Sequence, residues 1–321
     1  MKPLTQSQTN PFKKTDSNKR YYTYDYYLRQ RFGCKVAKIT LDAGFTCPNI
    51  DGTRAYGGCI YCSSRGSGDF SQSADLSLRE QYDIQRAKIT EKWQTNKFIP
   101  YLQAHTNTYA PIERLRQVYG EVLALPDVVG VNIATRADCI NDECLALLAE
   151  MSEKTELTVE LGLQSVCDET ARLINRAHSF SEFRDGYRRL REASSKIKIC
   201  VHLINGLPGE DKQMMLDSAR TVSAMKPDQI KLHLLHVISG TALANMYEKG
   251  LYTPLTLEEY ADIVASQIEI IDDSIVIGRV TGDGDKESLL APLWSLKKFT
   301  VMNEIDKLLY ERNSWQGKYS P

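Results

Sequence analysis

The 321 residues are 42% apolar and 25% charged with a formal net charge of −1, ordinary values for a soluble globular protein. That length suits one large domain, or one domain with an appendage, and can bury a full core. No apolar run approaches the ~18 residues of a membrane span, and eight unevenly placed cysteines do not resemble a small disulfide scaffold.

The first segment, 1–30, is basic and rich in tyrosine. Met1–Thr40 carries nine Lys or Arg against two Asp, interleaved with Tyr21, Tyr22, Tyr24, Tyr26, Tyr27 and Phe32. Two readings stand side by side. Basic groups among aromatics suit a nucleic-acid backbone with stacked bases, which makes Lys13, Lys14, Lys19 and Arg20 candidate RNA contacts. The alternative is a solubilising tail followed by a helix whose tyrosines pack on the core. Met1–Arg20 has no apolar stretch, so no secretory signal is read, and a cytoplasmic location is expected.

Beyond the tail, strand-like runs fall at Val36–Leu41, Phe98–Ala104, Val128–Ala134, Leu157–Leu163, Ile197–Leu203 and Gln229–His236. Helix-like stretches lie between them at Leu76–Trp93, Ile112–Ala124, Asp142–Ser152, Ser181–Ala193 and Asp211–Met225. Strand and helix alternating at this spacing predict βαβ units, a parallel sheet and an α/β barrel or most of one over 31–240. A small C-terminal extension, 241–321, follows: a helix at Leu257–Ile271 with Thr256 and Glu259 as capping box, a strand at Ile275–Val280, and an amphipathic helix at Ser295–Glu311. Lys297 and Lys298 on that last helix are further candidate phosphate contacts.

Cys47, Cys59 and Cys62 share one loop directly after the first strand, among Gly44, Gly52, Gly57 and Gly58. In a barrel this loop lands on the face where active sites lie. Three thiolates without a near fourth ligand leave a four-iron cluster with one open iron. A zinc site needs a fourth ligand such as Cys34 or His105, and unligated thiols are the third reading. Polar groups recur where the strands end: Thr106-Asn107-Thr108, then Glu160, Gly162 and Gln164 on one face of a strand, then Cys200, His202 and Ile204 on one face of another. Each has a plain structural alternative, but together they form the polar ring of a cofactor site. Cys34, Cys139, Cys144, Cys167 and Cys200 read as buried structural cysteines, with Cys200 the best candidate for a functional thiol.

These residues resemble the radical S-adenosylmethionine superfamily. The resemblance rests on Cys59-Ile60-Tyr61-Cys62, Ala134-Thr135-Arg136-Ala137-Asp138, Val159-Glu160-Leu161-Gly162-Leu163-Gln164-Ser165, Asn175-Arg176-Ala177-His178, Gly206-Leu207-Pro208-Gly209 and Ile238-Ser239-Gly240-Thr241. Eleven residues separate Cys47 from Cys59 in place of the commonest three, which is similar to the YhcC/YtqA-like group, related to the branch of the Elongator catalytic subunit.

The resemblance implies a partial (β/α)6 TIM-like barrel, a [4Fe–4S] cluster on Cys47, Cys59 and Cys62, and S-adenosylmethionine on the open iron. It implies reductive cleavage to a 5′-deoxyadenosyl radical, with a reducing electron donor such as flavodoxin or ferredoxin. By position it places Tyr61 and Ile204 at the adenine and Thr106, Asn107 and Thr108 near the methionine amino group. Arg176 falls on the methionine carboxylate, and Glu160, Gln164 and His202 fall among the remaining cofactor contacts. No catalytic residue is assigned. The implied substrate is RNA, the 5-substituent of a tRNA wobble uridine. The alternatives are a radical enzyme acting on a small metabolite and a zinc-stabilised, non-enzymatic binding module. Acetyl transfer is not expected, because the residues after the sixth strand are too few for that domain. Oligomeric state is not read from the sequence.

Overall fold

The computed structural model describes residues 10–66, 68 and 71–320; Lys2 of the basic segment lies outside them. Helix α1 (Tyr24–Phe32) precedes β1 (Ala37–Leu41), and the pattern then repeats through α2 (Leu78–Trp93), β2 (Phe98–Leu102), α3 (Ile112–Leu123), β3 (Gly130–Thr135), α4 (Asp142–Lys154) and β4 (Glu156–Gln164). Two helices, α5 (Asp168–Leu173) and α6 (Phe180–Ala193), lead to β5 (Lys198–Asn205), followed by α7 (Lys212–Ala224) and β6 (Gln229–Leu234). The chain closes with β7 (Val237–Ile238), α8 (Ala242–Glu248), α9 (Leu257–Ile270), β8 (Val276–Arg279), β9 (Leu289–Ala291) and α10 (Lys298–Glu311).

Seven strands form one parallel sheet in the order β1-β2-β3-β4-β5-β6-β8. The sheet is curled. Strands β1 and β4 are not neighbours, yet Lys38 Nζ lies 3.0 Å from Glu160 Oε1, and Lys231 of β6 reaches the same carboxylate. Such contacts across the concave face require a partial barrel. Its outer face is apolar: Ile39, Leu41, Ile133, Leu161, Leu163, Val201, Leu203 and Leu232 are buried beneath the helices. The parallel sheet needs that helical cover, because every strand has two faces to bury.

The six expected strands are all present, with ends shifted by one or two residues. The last apolar run ends as a strand at Leu234, since His236 lies in the turn before β7. Strand β8, from the segment read as an extension, adds a seventh strand to the same sheet. Capping boxes at Ser77/Glu80, Ser179/Glu182 and Thr256/Glu259 set three helix starts. The last helix begins at Lys298, later than Ser295, because Leu293–Leu296 forms a separate 3-10 turn.

The basic, tyrosine-rich segment closes the far end of the barrel. Ile277 N–H donates to the Tyr22 carbonyl, Thr23 bridges β8, and Tyr22, Tyr24 and Tyr27 cover Thr158, Lys198 and Gln229 near the strand starts. Tyr21 is buried and Tyr27 donates to Glu156 at 2.5 Å. The packing reading therefore holds for these tyrosines. Arg20 is corrected as an RNA contact: it is buried, bonded to the Ser314 carbonyl and stacked on Tyr310. Lys14 and Lys19 are paired with Asp273 and Asp306, while Lys13 and Lys297 are exposed. Lys298 lies 2.8 Å from Asp283.

Candidate cofactor site at the barrel mouth

The cysteine loop leaves the C-terminal end of β1 and is held through its backbone. Ile50 N–H donates to the Cys47 carbonyl, Arg54 N–H to Pro48, and Gly58 N–H to Asn49. The Cys59–Cys62 turn closes through a 3.0 Å bond from Cys62 N–H to the Cys59 carbonyl. Two neighbours pin it: Ile60 N–H donates to the Ile174 carbonyl, and Leu243 N–H donates to the Ile60 carbonyl. Gly57 and Gly58 have φ of 79° and 74°, a region that disfavours side chains, so these glycines let the loop turn.

Side chains complete the clamp. Asn175, after α5, donates to the carbonyls of Tyr56 and Gly58 at 3.0 and 2.7 Å. Asn49 donates to the Asn175 carbonyl and approaches Cys59 Sγ at 3.6 Å; its buried Oδ1 has no partner. Cys59 is lowered to about 7, chiefly by a hydrogen bond from Cys62, with burial opposing and Tyr61, Arg136 and Asn49 adding to the effect. Arg136 grips Asp138 at 3.0 and 2.8 Å, and its charge also bears on Cys47. The Arg136 charge favours the Cys59 thiolate, the form that binds metal.

Cys47, Cys59 and Cys62 are all half-buried. Among the described residues, Glu160, Cys200 and His202 also offer three ligand atoms, all within 4.8 Å of one another, deeper in the barrel. The three soft donors, the orphaned Asn49 oxygen and the cationic Arg136 fit an iron–sulfur cluster of which one iron lacks a protein ligand.

The other expected residues divide into three sets. Tyr61 and Ile204 are both half-buried and pack against one apolar cluster, which includes Leu207, Leu235 and Val237. Asn107 is buried; its amide donates to the carbonyls of Leu102, Ala104 and Ala134, and its Oδ1 is left without a partner. Thr106 and Thr108 flank it, and Thr108 Oγ1 is taken up by Thr135 and the Cys139 carbonyl, each at 2.6 Å. Gln164 stands half-buried at φ 66°, beside a bulge that ends β4.

Arg176 is placed differently from its expected role. It is 1% exposed and donates to the carbonyls of Leu163, Ser165 and His178. Four of its hydrogen bonds go to backbone carbonyls and Asp168 lies 3.9 Å from Nη2, so it holds the strand end on which Gln164 stands. Glu160 and His202 are likewise drawn away from the mouth, into a cluster deeper in the barrel. Glu160 is 0% exposed and bound by Lys38, Asn132, His202 and Lys231. Sequence reading missed Lys38, Asn132 and Lys231. Strand alternation carried the signal for them, since each lies at an inward position opposite the apolar face.

Comparison with known proteins places this geometry. Residues 52–222 match the family model described as the radical SAM superfamily. The chain belongs to the radical SAM superfamily. Residues 227–311 match the radical SAM C-terminal domain, so the second match begins just before β6 and takes in β8 and α10. The uncharacterized Bacillus subtilis protein YtqA is 47% identical over 97% of this chain and 96% of its own length, which sets the chain in the YhcC/YtqA-like group. A tRNA uridine(34) acetyltransferase of Methanocaldococcus infernus is 29% identical over 48% of this chain and 29% of its own length. The solved structure of archaeal Elp3 from the same organism superposes with a TM-score of 0.63 at 19% identity, covering 88% of this chain and 64% of that one. That likeness supports the curled half-barrel. Radical SAM proteins use a [4Fe–4S] cluster and S-adenosylmethionine, and no described helix here is long and apolar enough to cross a membrane.

Proposed function

We propose that Cys47, Cys59 and Cys62 hold the [4Fe–4S] cluster and that the chain uses S-adenosylmethionine to modify the 5-substituent of a tRNA wobble uridine. One observation carries the cofactor assignment: three half-buried cysteines share one loop that is pinned through its backbone at the mouth of the curled barrel. When bound, the cluster and S-adenosylmethionine supply an organic radical that abstracts hydrogen.

This chain's residues bind and orient. Asn107 Oδ1 is a buried acceptor with no partner, suited to the ammonium of the methionine moiety. Tyr61 and Ile204 offer a shared apolar wall for an adenine. Arg176 fixes the Leu163–Ser165 carbonyls, and so the position of Gln164. The Arg136 charge favours the thiolate of Cys59. An external one-electron reductant is required, with flavodoxin or ferredoxin as candidates.

The tRNA substrate is supported by the wobble-uridine enzyme among the relatives. A small-metabolite substrate is the second reading, and one observation favours it. The basic N-terminal segment sits at the strand starts, opposite the mouth, with Lys14 and Lys19 already paired. Anaerobic reconstitution tests the first half: brown protein with about four irons is expected, and none in Cys59→Ala or Cys62→Ala. A colourless protein holding one zinc would overturn the cluster. Mass spectrometry of tRNA nucleosides from wild-type and deletion strains tests the second half; an unchanged profile would exclude tRNA.

A further inference from the structure

Below the mouth, the barrel interior holds a second polar cluster. Lys38, Tyr101, Asn132, Glu160, His202 and Lys231 come from six successive strands of the sheet and converge on the Glu160 carboxylate. Lys38 lies 3.0 Å from Oε1 and Asn132 donates to it at 2.6 Å; His202 Nε2 lies 2.8 Å from Oε2, and Lys231 also reaches Oε2. One carboxylate thus takes four partners, about as many as its lone pairs accept.

The charges do not balance. Two ammonium groups face one carboxylate, and among the described residues neither lysine has an ion pair to any other acid. The neighbours that could supply negative charge are held neutral. Burial pushes the Cys200 thiol and the Tyr24 and Tyr101 phenols up. His202 and His233 are held below the usual range, mainly by burial, so they are neutral and add no positive charge. The floor therefore carries one positive charge beyond Glu160. An unpaired buried charge is expensive, and a divalent metal on Glu160, Cys200 and His202 would meet both ammonium groups.

Glu160 is followed on the same face by Gly162, over which the Gln164 side chain lies: a methyl added there would come within 2.7 Å of Gln164 Nε2. Lys38 and His202 keep 23% and 16% of their side-chain surface accessible. We propose that this floor is a subsite for an anionic group of the substrate, a carboxylate or a phosphate, received by Lys38 and Lys231 while Glu160 holds the two apart. Within the radical reading proposed above, this anchors the substrate's charged end on the floor and leaves its reactive part toward the mouth.

Thermal unfolding of the full-length protein, before and after reconstitution, tests this with sodium acetate and sodium phosphate at constant ionic strength set by chloride. Stabilisation by one anion beyond chloride is expected; acetate selectivity assigns a carboxylate and phosphate selectivity a phosphate. Lys231→Met and Lys38→Met each weaken that anion at least tenfold, and Lys231→Arg retains it. Lys231→Met removes the surplus charge and leaves a one-to-one pair, so it folds. No stabilisation beyond chloride, or equal stabilisation of wild type and Lys231→Met, would overturn the subsite. The unreconstituted protein gives this answer even if no cluster forms, so failure of the cluster assignment is read separately.

Discussion

At the mouth, the cysteine loop is held by its own backbone and by carbonyls of neighbouring loops; on the floor, side chains hold side chains. The two regions are joined by one strand, β4, which carries Glu160 on the floor and Gln164 at the mouth. Backbone clamping leaves the side-chain oxygens of Asn49 and Asn107 without partners at the mouth. Side-chain pairing on the floor spends every oxygen of Glu160 but leaves a charge over. A site for a large inorganic group needs free ligands in a fixed frame, and a site for an ion needs unbalanced charge; the barrel supplies each at a different depth.

The frame breaks most severely at Arg176. Arg176→Met leaves the carbonyls of Leu163, Ser165 and His178 without their donors in a buried place. A loss of about 3–5 kcal/mol is expected in urea unfolding of the unreconstituted protein, the scale for breaking a buried charged network. Arg176→Lys recovers only part, because an ammonium cannot span the same carbonyls as the guanidinium fork. If Arg176 instead served only as a ligand contact, Arg176→Met would leave unfolding unchanged and weaken S-adenosylmethionine binding alone.

The difference between mouth and floor also explains what could be read from the sequence. The alternation of apolar runs and helical stretches gave the βαβ order, because outer strand faces must be apolar under helices: Ile39, Ile133 and Leu161 mark that face. The cysteines were readable because soft ligands clustered in a loop have few other uses. The backbone carbonyls that Arg176 holds were not legible, because spacing carries no information on which carbonyls surround a side chain. Lys38 and Lys231 were passed over because they lie 193 residues apart in sequence, and only the curl of the sheet brings them to one carboxylate. The tyrosines near the N-terminus illustrate the reverse problem. Their composition suited RNA, but a barrel has an open far end that must be covered, and they cover it.

A milder perturbation of the floor is pH. Lys231 is lowered to about 8, first by burial and then by Lys38 and Arg279, with Glu160 opposing; Tyr101, Cys200, His202 and His233 also face the cluster. A lysine lowered on folding binds its proton more weakly in the native state. Its protonated form therefore costs stability, fully below about pH 8, and the cost fades as pH rises toward the unfolded value near 10.5. Lys38 is raised by Glu160 despite burial, so its contribution is present below 10.5 and is lost only above that. Comparing wild type with Lys231→Met isolates the first effect: the stability gap should narrow between pH 8 and 10.5, with wild type gaining. Acetate or phosphate protection should fall over the pH range around 8, as Lys231 loses its charge. A gap independent of pH would show that Lys231 is neutral or fully paired throughout.

The smallest expected effect separates the two ends of the barrel as nucleic-acid surfaces. Lys14 pairs with Asp273 in an exposed place, so Lys14→Ala should cost no more than about 1 kcal/mol. Because the N-terminal segment covers the strand starts, charge reversal at Lys13 and Lys14 should leave tRNA affinity and its salt dependence unchanged. Lys297 is exposed at the start of α10, with Phe299 79% exposed beside it and Lys298 near Asp283 and the loop after β8. Lys297→Glu should lower the slope of log affinity against log salt by about one unit, as expected for one lost phosphate contact. Filter binding across a salt series distinguishes the two. If reversal at Lys13 and Lys14 carries the loss instead, tRNA approaches from the far end of the barrel. The mouth would then have to receive something other than the base of that same tRNA, which returns the balance to a small-metabolite substrate.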